Sequence, residues 1–134
     1  MRLSIRIGVL LVVALVAAGT LSASGSSYVG ATKQWTIVNF VNPVLVKGQF
    51  VMGPVLIVHD SEKMAKGEAC TTFYRFDKAR GPQEELVAFH CTPRATDAKS
   101  EATSLVTTLT DPGCRKLVEY QIAGDAEAHG VPVK

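Results

Sequence analysis

The feature that most constrains this chain is a pair of cysteines, Cys70 and Cys91, bracketing the stretch CTTFYRFDKARGPQEELVAFHC. Its two ends, Ala69–Phe76 and Glu84–Cys91, are rich in Thr, Phe, Tyr and Val, which suit a pleated, half-buried surface. Between them Asp77–Gln83 carries Gly81-Pro82 and several charges, which is loop chemistry. The stretch predicts a β-hairpin. With Asp77 facing Glu84, Thr72 falls opposite Phe89, Tyr74 opposite Val87 and Cys70 opposite Cys91. Side chains alternate along a strand, so these six share one face while Arg75, Leu86 and His90 take the other. Opposed Cα atoms can stand about 4.5 Å apart, inside the span of about 4.4–6.8 Å that a disulfide tolerates. A Cys70–Cys91 disulfide is therefore expected, with Cys114 left as a free thiol. Cys70–Cys114 and Cys91–Cys114 stay open as rival pairings, because spacing alone does not set connectivity.

Residues 1–23 predict a secretory leader. Arg2 and Arg6 form a basic start, Ile7–Ala18 is apolar, and small residues allow cleavage after Ala18 or Ala23. Even counted from Ile7 to Leu21, the apolar run is short of the roughly 20 residues a membrane span needs. A retained N-terminal anchor is the alternative. No cysteine lies near the cleavage region, so a lipid anchor is not expected. The expected destination is the periplasm or the exterior, where disulfides persist.

Removing residues 1–23 from the 134 leaves 111, the length of one domain. The whole chain has 14 basic and 12 acidic residues, and two of the basic ones, Arg2 and Arg6, fall in the leader. What remains is neutral, with charges interspersed. Nucleic acid and an anionic membrane surface both call for clustered positive charge, so neither is expected as a partner.

The rest of the chain reads as short strands separated by turns. Ser24–Thr32 is a Ser/Gly-rich flexible lead-in. Lys33–Val41 is a strand with Trp35, Ile37 and Asn39 on one face and Thr36, Val38 and Phe40 on the other. Val44–Val46 and Gln49–Met52 form a hairpin around Lys47-Gly48, and Gly53-Pro54 turns the chain into Pro54–His59, an apolar strand suited to a central place. Asp60–Gly67 has some helical character. After the cysteine-bracketed hairpin, Thr92–Ala102 is a polar connection. Thr103–Thr110 and Cys114–Ala123 are strands joined by the turn Asp111-Pro112-Gly113. Gly124–Lys134 is an irregular tail. About seven short strands with almost no helix predict an all-β domain over residues 33–123, a small antiparallel β-sandwich or barrel.

The piece NPVLVKGQFVMGPVLIVHD and the late segment YQIAGDAEAHGVPVK resemble a group of short exported β-proteins of acidobacterial-type bacteria. Those chains run a strand, a P-V-x-V-x-G turn, a second strand with a polar end, and a closing aromatic–Gly-Asp strand. The resemblance covers residues 35–60 and 117–132, and this chain departs from it in its cysteine-bracketed middle. It implies an exported β fold and carries no functional residue.

Candidate chemistry is sparse. His59, His90 and His129 are the three histidines, with Asp60, Asp125 and Glu127 near two of them. Imidazole and carboxylate can hold zinc or copper, yet no two histidines share a ligand spacing such as H-x-H. A copper site of the His/Cys/Met kind is expected to show His and Met a few residues after its Cys, and nothing after Cys91 or Cys114 does. Cys114 has only Arg115-Lys116 to activate it, no G-x-S-x-G elbow occurs, and Glu84-Glu85 point to opposite faces of a strand. Catalysis and a resident cofactor are therefore not expected. The chain reads as a binding or structural module for an envelope protein or a small ligand, with metal binding through His59, His90 and His129 as the alternative and a thiol-dependent enzyme behind it. Cys114 could also bridge a homodimer.

Overall fold

The computed structural model describes residues 18–23, 26–110 and 113–133. Residues 1–17 of the expected leader and the Asp111-Pro112 part of the expected turn lie outside these. The described elements are β1 (Ala18–Ala23), β2 (Ser27–Val29), β3 (Lys33–Val46), β4 (Gln49–Asp60), α1 (Ser61–Ala65), β5 (Thr71–Asp77), β6 (Gly81–Phe89), β7 (Thr92–Ala95), β8 (Thr103–Thr110), β9 (Cys114–Gln121) and β10 (Glu127–Gly130). The strands join one sheet in the order β1-β8-β9-β3-β4-β5-β6, curled into a half-barrel. β2 pairs with β3, and β10 links β7 to β9. The all-β expectation holds. No described helix is long and apolar enough to cross a membrane.

Alternation builds the core. Along β3 the buried set is Thr36, Val38 and Phe40, the face expected for them, and β4 answers with Val51, Val55 and Ile57. Lys47 and Gly48 take positive φ of 44° and 80° and close the β3–β4 hairpin in the left-handed turn geometry that suits strand twist. β4 lies between β3 and β5, as its continuous apolar sequence suggests. The expected turn at Gly53-Pro54 does not form. Strand β4 runs straight through it, with Gly53 at φ 82° opposite an irregularity in β3 between Phe40 and Val44. Pro54 is tolerated because pairing with β5 begins only at Val55, so no ladder bond needs its missing N–H.

The β5–β6 hairpin slips by one residue from the expected register. Thr71 pairs with Phe89 and Phe73 with Val87, one residue off, whereas at the turn Asp77 pairs with Gly81, three off, and irregularities between Phe73 and Tyr74 and between Tyr74 and Phe76 absorb the difference. The cause is the turn. The Asp77 carboxylate accepts from the Ala79 and Arg80 amides, and Gly81 takes φ 82°, so the loop is tighter than Asp77–Gln83 implied. A one-residue slip exchanges faces: Thr71 and Phe73 are buried, while Thr72 and Tyr74 look outward, half-buried. Cys70 then stands just before β5 and Cys91 just after β6, not directly opposed. Their sulfurs are 2.9 Å apart, beyond the bond length of about 2.05 Å. The expected disulfide is not formed, and both are free thiols.

Three further expectations change. The lead-in contains β2, the polar connection Thr92–Ala102 begins with β7, and the tail expected to be irregular contains β10, where Ala128 and His129 are buried. Phe73, Phe89 and Tyr120 form the aromatic centre of the core, with Phe73 lying 5.9 Å from Phe89 and 6.3 Å from Tyr120 between ring centroids. The Tyr120 hydroxyl bonds Thr71 Oγ1 across the fold. Tyr120→Phe leaves that buried Thr71 hydroxyl without its partner and is expected to remove about 1–2 kcal/mol of stability. An unchanged urea midpoint would show that the bond contributes nothing.

Candidate metal centre

Five segments meet at one end of the half-barrel. His59 is the last inward residue of β4. Its neighbour Asp60 caps α1, the carboxylate accepting from the Glu62 and Lys63 amides, and that turn swings Met64 back over the core. Cys70 and Cys91 follow from the hairpin ends, and β10 brings in His129 by pairing His129 with Tyr120 of β9 and with Pro93 of β7.

His59, Cys91 and His129 each present a ligand atom within 4.8 Å of the other two. All three are sealed from solvent, at 1%, 0% and 0% exposure. The imidazole rings overlap with centroids 4.0 Å apart. Each ring is oriented from behind. Gln34 Nε2 donates to Gly30 O and Ser61 Oγ, which turns Gln34 Oε1 toward His59 Nδ1 at 2.7 Å. His59 Nδ1 therefore carries the proton and donates, leaving its lone pair on Nε2. That Nε2 is the one buried side-chain nitrogen or oxygen without a partner among the described residues. On the other ring, His129 Nε2 donates to Asp125 Oδ2 at 3.2 Å, which leaves the Nδ1 lone pair facing Cys91 Sγ at 3.6 Å. Carboxylate or amide support behind an imidazole is the arrangement that aims metal-ligating histidines.

Two of the three donors, His59 and Cys91, are uncharged before anything binds. Burial, reinforced by the nearby His129, pulls the His59 pKa from 6.5 down to about 4, so the ring is uncharged at neutral pH. Burial and the adjoining Cys70 push the Cys91 thiol up to about 12. Two lone pairs and a protonated thiol thus converge where no proton donor other than that thiol can satisfy them. A cation would supply what is missing, accepting both lone pairs and stabilising the thiolate with release of its proton. Bonds of about 2.0–2.3 Å hold donors roughly 3.3–3.8 Å apart; Cys91 Sγ and His129 Nδ1, at 3.6 Å, already stand at that spacing.

Cys91, His129 and Asp125 also line up as thiol, imidazole and carboxylate, the order of a nucleophilic triad. Two observations argue against that use. Cys91 is fully buried, leaving no room for a substrate carbonyl, and its thiol is held well above the range of reactive cysteines.

Of the expected histidine set, the fold unites His59 and His129 and leaves out His90, which is exposed and hydrogen-bonded to Glu68 O at 2.9 Å. Sequence reasoning, which expects Cys91 in a disulfide, does not bring it to the two histidines, and it does not single out Gln34 or Met64. Cys114 begins β9, at the end opposite Tyr120, in a shallow pocket with Asn42, Phe50 and Arg115. Glu84 pairs with Arg75 at the exposed hairpin end. No family model, curated protein or solved structure matches this chain.

Proposed function

We propose that this protein binds a transition metal ion in the buried site formed by His59, Cys91 and His129. The observation that carries the reading is the orphaned His59 Nε2, sealed beside a second imidazole lone pair and a thiol. A buried acceptor without a partner costs about 1–3 kcal/mol, and packing alone gives no reason to hold one there. Two nitrogens and one sulfur at this spacing suit zinc or copper and do not suit calcium or magnesium, which take oxygen. This reading takes the expected alternative, metal binding through histidines, and assigns the protein a metal as what it binds.

The test is metal retention after chelator stripping, reloading and desalting. About one equivalent is expected on the native chain, and none on His59→Ala or His129→Ala. His90→Ala should behave as the native chain does. Retention equal to native in both the His59 and His129 variants would end the proposal.

A second reading has one observation behind it. On the convex face Trp35, Ile37, Leu56, Val58, Phe76 and Pro82 line an open apolar groove of about 290 Å³, which could take a small apolar ligand. It lacks the placed polar groups that orient a ligand, so the metal reading is favoured.

A further inference from the structure

We infer that the metal is monovalent copper and that the thioether of Met64 is its fourth donor. This rests on the proposed site and goes beyond it by naming the ion and a ligand that no spacing in the chain suggests. Met64 Sδ lies 3.8 Å from Cys91 Sγ, and the side chain packs against the core from α1. The helix that carries it is tied by its Asp60 cap to the residue next to His59, so the placement of Met64 and of the first ligand comes from one short segment. A thioether is neutral and soft. It binds copper(I) and offers little to zinc, whose sites use thiolate, imidazole and carboxylate.

The remaining groups around the site do not complete a zinc centre. Cys70 is the other sulfur beside the site, but its thiol points to the Phe89 carbonyl. Cys70 Sγ also accepts the Cys91 amide N–H at 3.2 Å, which orients it as support for the ligand. Asp125 is engaged by His129 Nε2. Glu127 Oε1 stands 3.7 Å from His129 Nδ1 on the partly exposed rim and is the one hard donor that zinc could recruit. The site therefore presents Cys91, Met64, His59 and His129, two sulfurs and two nitrogens, to a soft ion.

The experiment uses the full-length chain with Cu(I) held by a chromophoric chelator under reducing, anaerobic conditions, and Zn(II) with a fluorescent indicator in parallel. Met64→Leu conserves volume and keeps the core filled. It is expected to weaken Cu(I) by about 10–100-fold, the scale on which losing a supporting metal-site group is felt, while leaving Zn(II) affinity as it was. Glu127→Gln is expected to leave Cu(I) unchanged. X-ray absorption at the copper edge should show two sulfur and two nitrogen scatterers in the native chain and one sulfur fewer in Met64→Leu. Copper affinity and sulfur count both unaffected by Met64→Leu would overturn the inference, as would native protein that holds zinc and refuses copper. Either result leaves the His59/Cys91/His129 site standing. Native protein that holds neither ion removes the site itself.

Discussion

Protein oxidised with excess glutathione disulfide before metal is added is expected to bind no metal, and dithiothreitol should restore binding in full. The sulfurs of Cys70 and Cys91 need approach by less than about an ångström to reach bonding distance of about 2.05 Å. Exchange is balanced: two protein thiols and one glutathione disulfide give one protein disulfide and two glutathione thiols. Once joined to Cys70, the Cys91 sulfur can no longer become an anionic ligand, and two imidazoles alone hold a metal far less tightly. Closing a loop of about 20 residues also stabilises the fold by roughly 3 kcal/mol in the chain-entropy view, so the oxidised form has its own reason to persist. Exchange should be slow near neutral pH, because burial holds the Cys91 thiol up at about 12 and thiolate is the attacking species.

The control separates gating from damage. Cys70→Ser cannot form the bond and keeps Cys91, so its metal binding should survive the same oxidation. Metal-loaded native protein should likewise resist oxidation, since the ion occupies the sulfur that must react. If fully oxidised protein, with the Cys70–Cys91 bond verified by mass, still takes up one equivalent of metal, Cys91 is not a ligand. If the proposed export holds, metal and disulfide compete for Cys91 in an oxidising compartment, and the order of arrival decides the product.

The extent to which the site could be read from the sequence follows from what sequence periodicity reports. Alternation along Lys33–Val41 identified its buried face, because one face meets the core and nothing competes, and the apolar run Pro54–His59 identified a central strand. The turn Lys47-Gly48 was legible because its backbone demands residues that accept positive φ. The hairpin register was not, because Asp77 and Gly81 tightened the loop by bonds that composition does not reveal. What concealed the site was the disulfide expected at Cys91, which left its sulfur out of the candidate set although Cys91 is buried beside Val87 and Phe89 as expected. His129 itself lay in a Gly/Pro-punctuated tail, which local propensity reads as irregular. It becomes a strand only through pairing with β9 and with β7, the latter distant in sequence and not itself expected as a strand. Ligands drawn from residues 59, 64, 91 and 129 leave no spacing motif.

Acid should destabilise the metal-free protein in a window set by His59. In the unfolded chain this ring takes up a proton near 6.5, whereas in the folded chain burial and the neighbouring His129 delay uptake to about 4. Between those values the unfolded state binds the extra proton, so stability is fully present above about pH 6.5 and falls as pH drops toward 4. Two and a half units correspond to a loss of about 3 kcal/mol, complete by about pH 4. Asp60 and Glu84 are held below the usual carboxylate range by hydrogen bonds from the Lys63 amide and the Arg75 side chain, and their contributions are lost only at lower pH. Urea unfolding at about pH 7.5, 5.5, 4 and 2.5 resolves the two. His59→Gln keeps a polar side chain but cannot titrate, so its stability should stay flat across the upper window and fall only in the lower one. Parallel curves for the native chain and His59→Gln would show that His59 is not the buried neutral base described here. Bound metal should shift the native curve toward lower pH, because the ion and the proton compete for the same Nε2 lone pair.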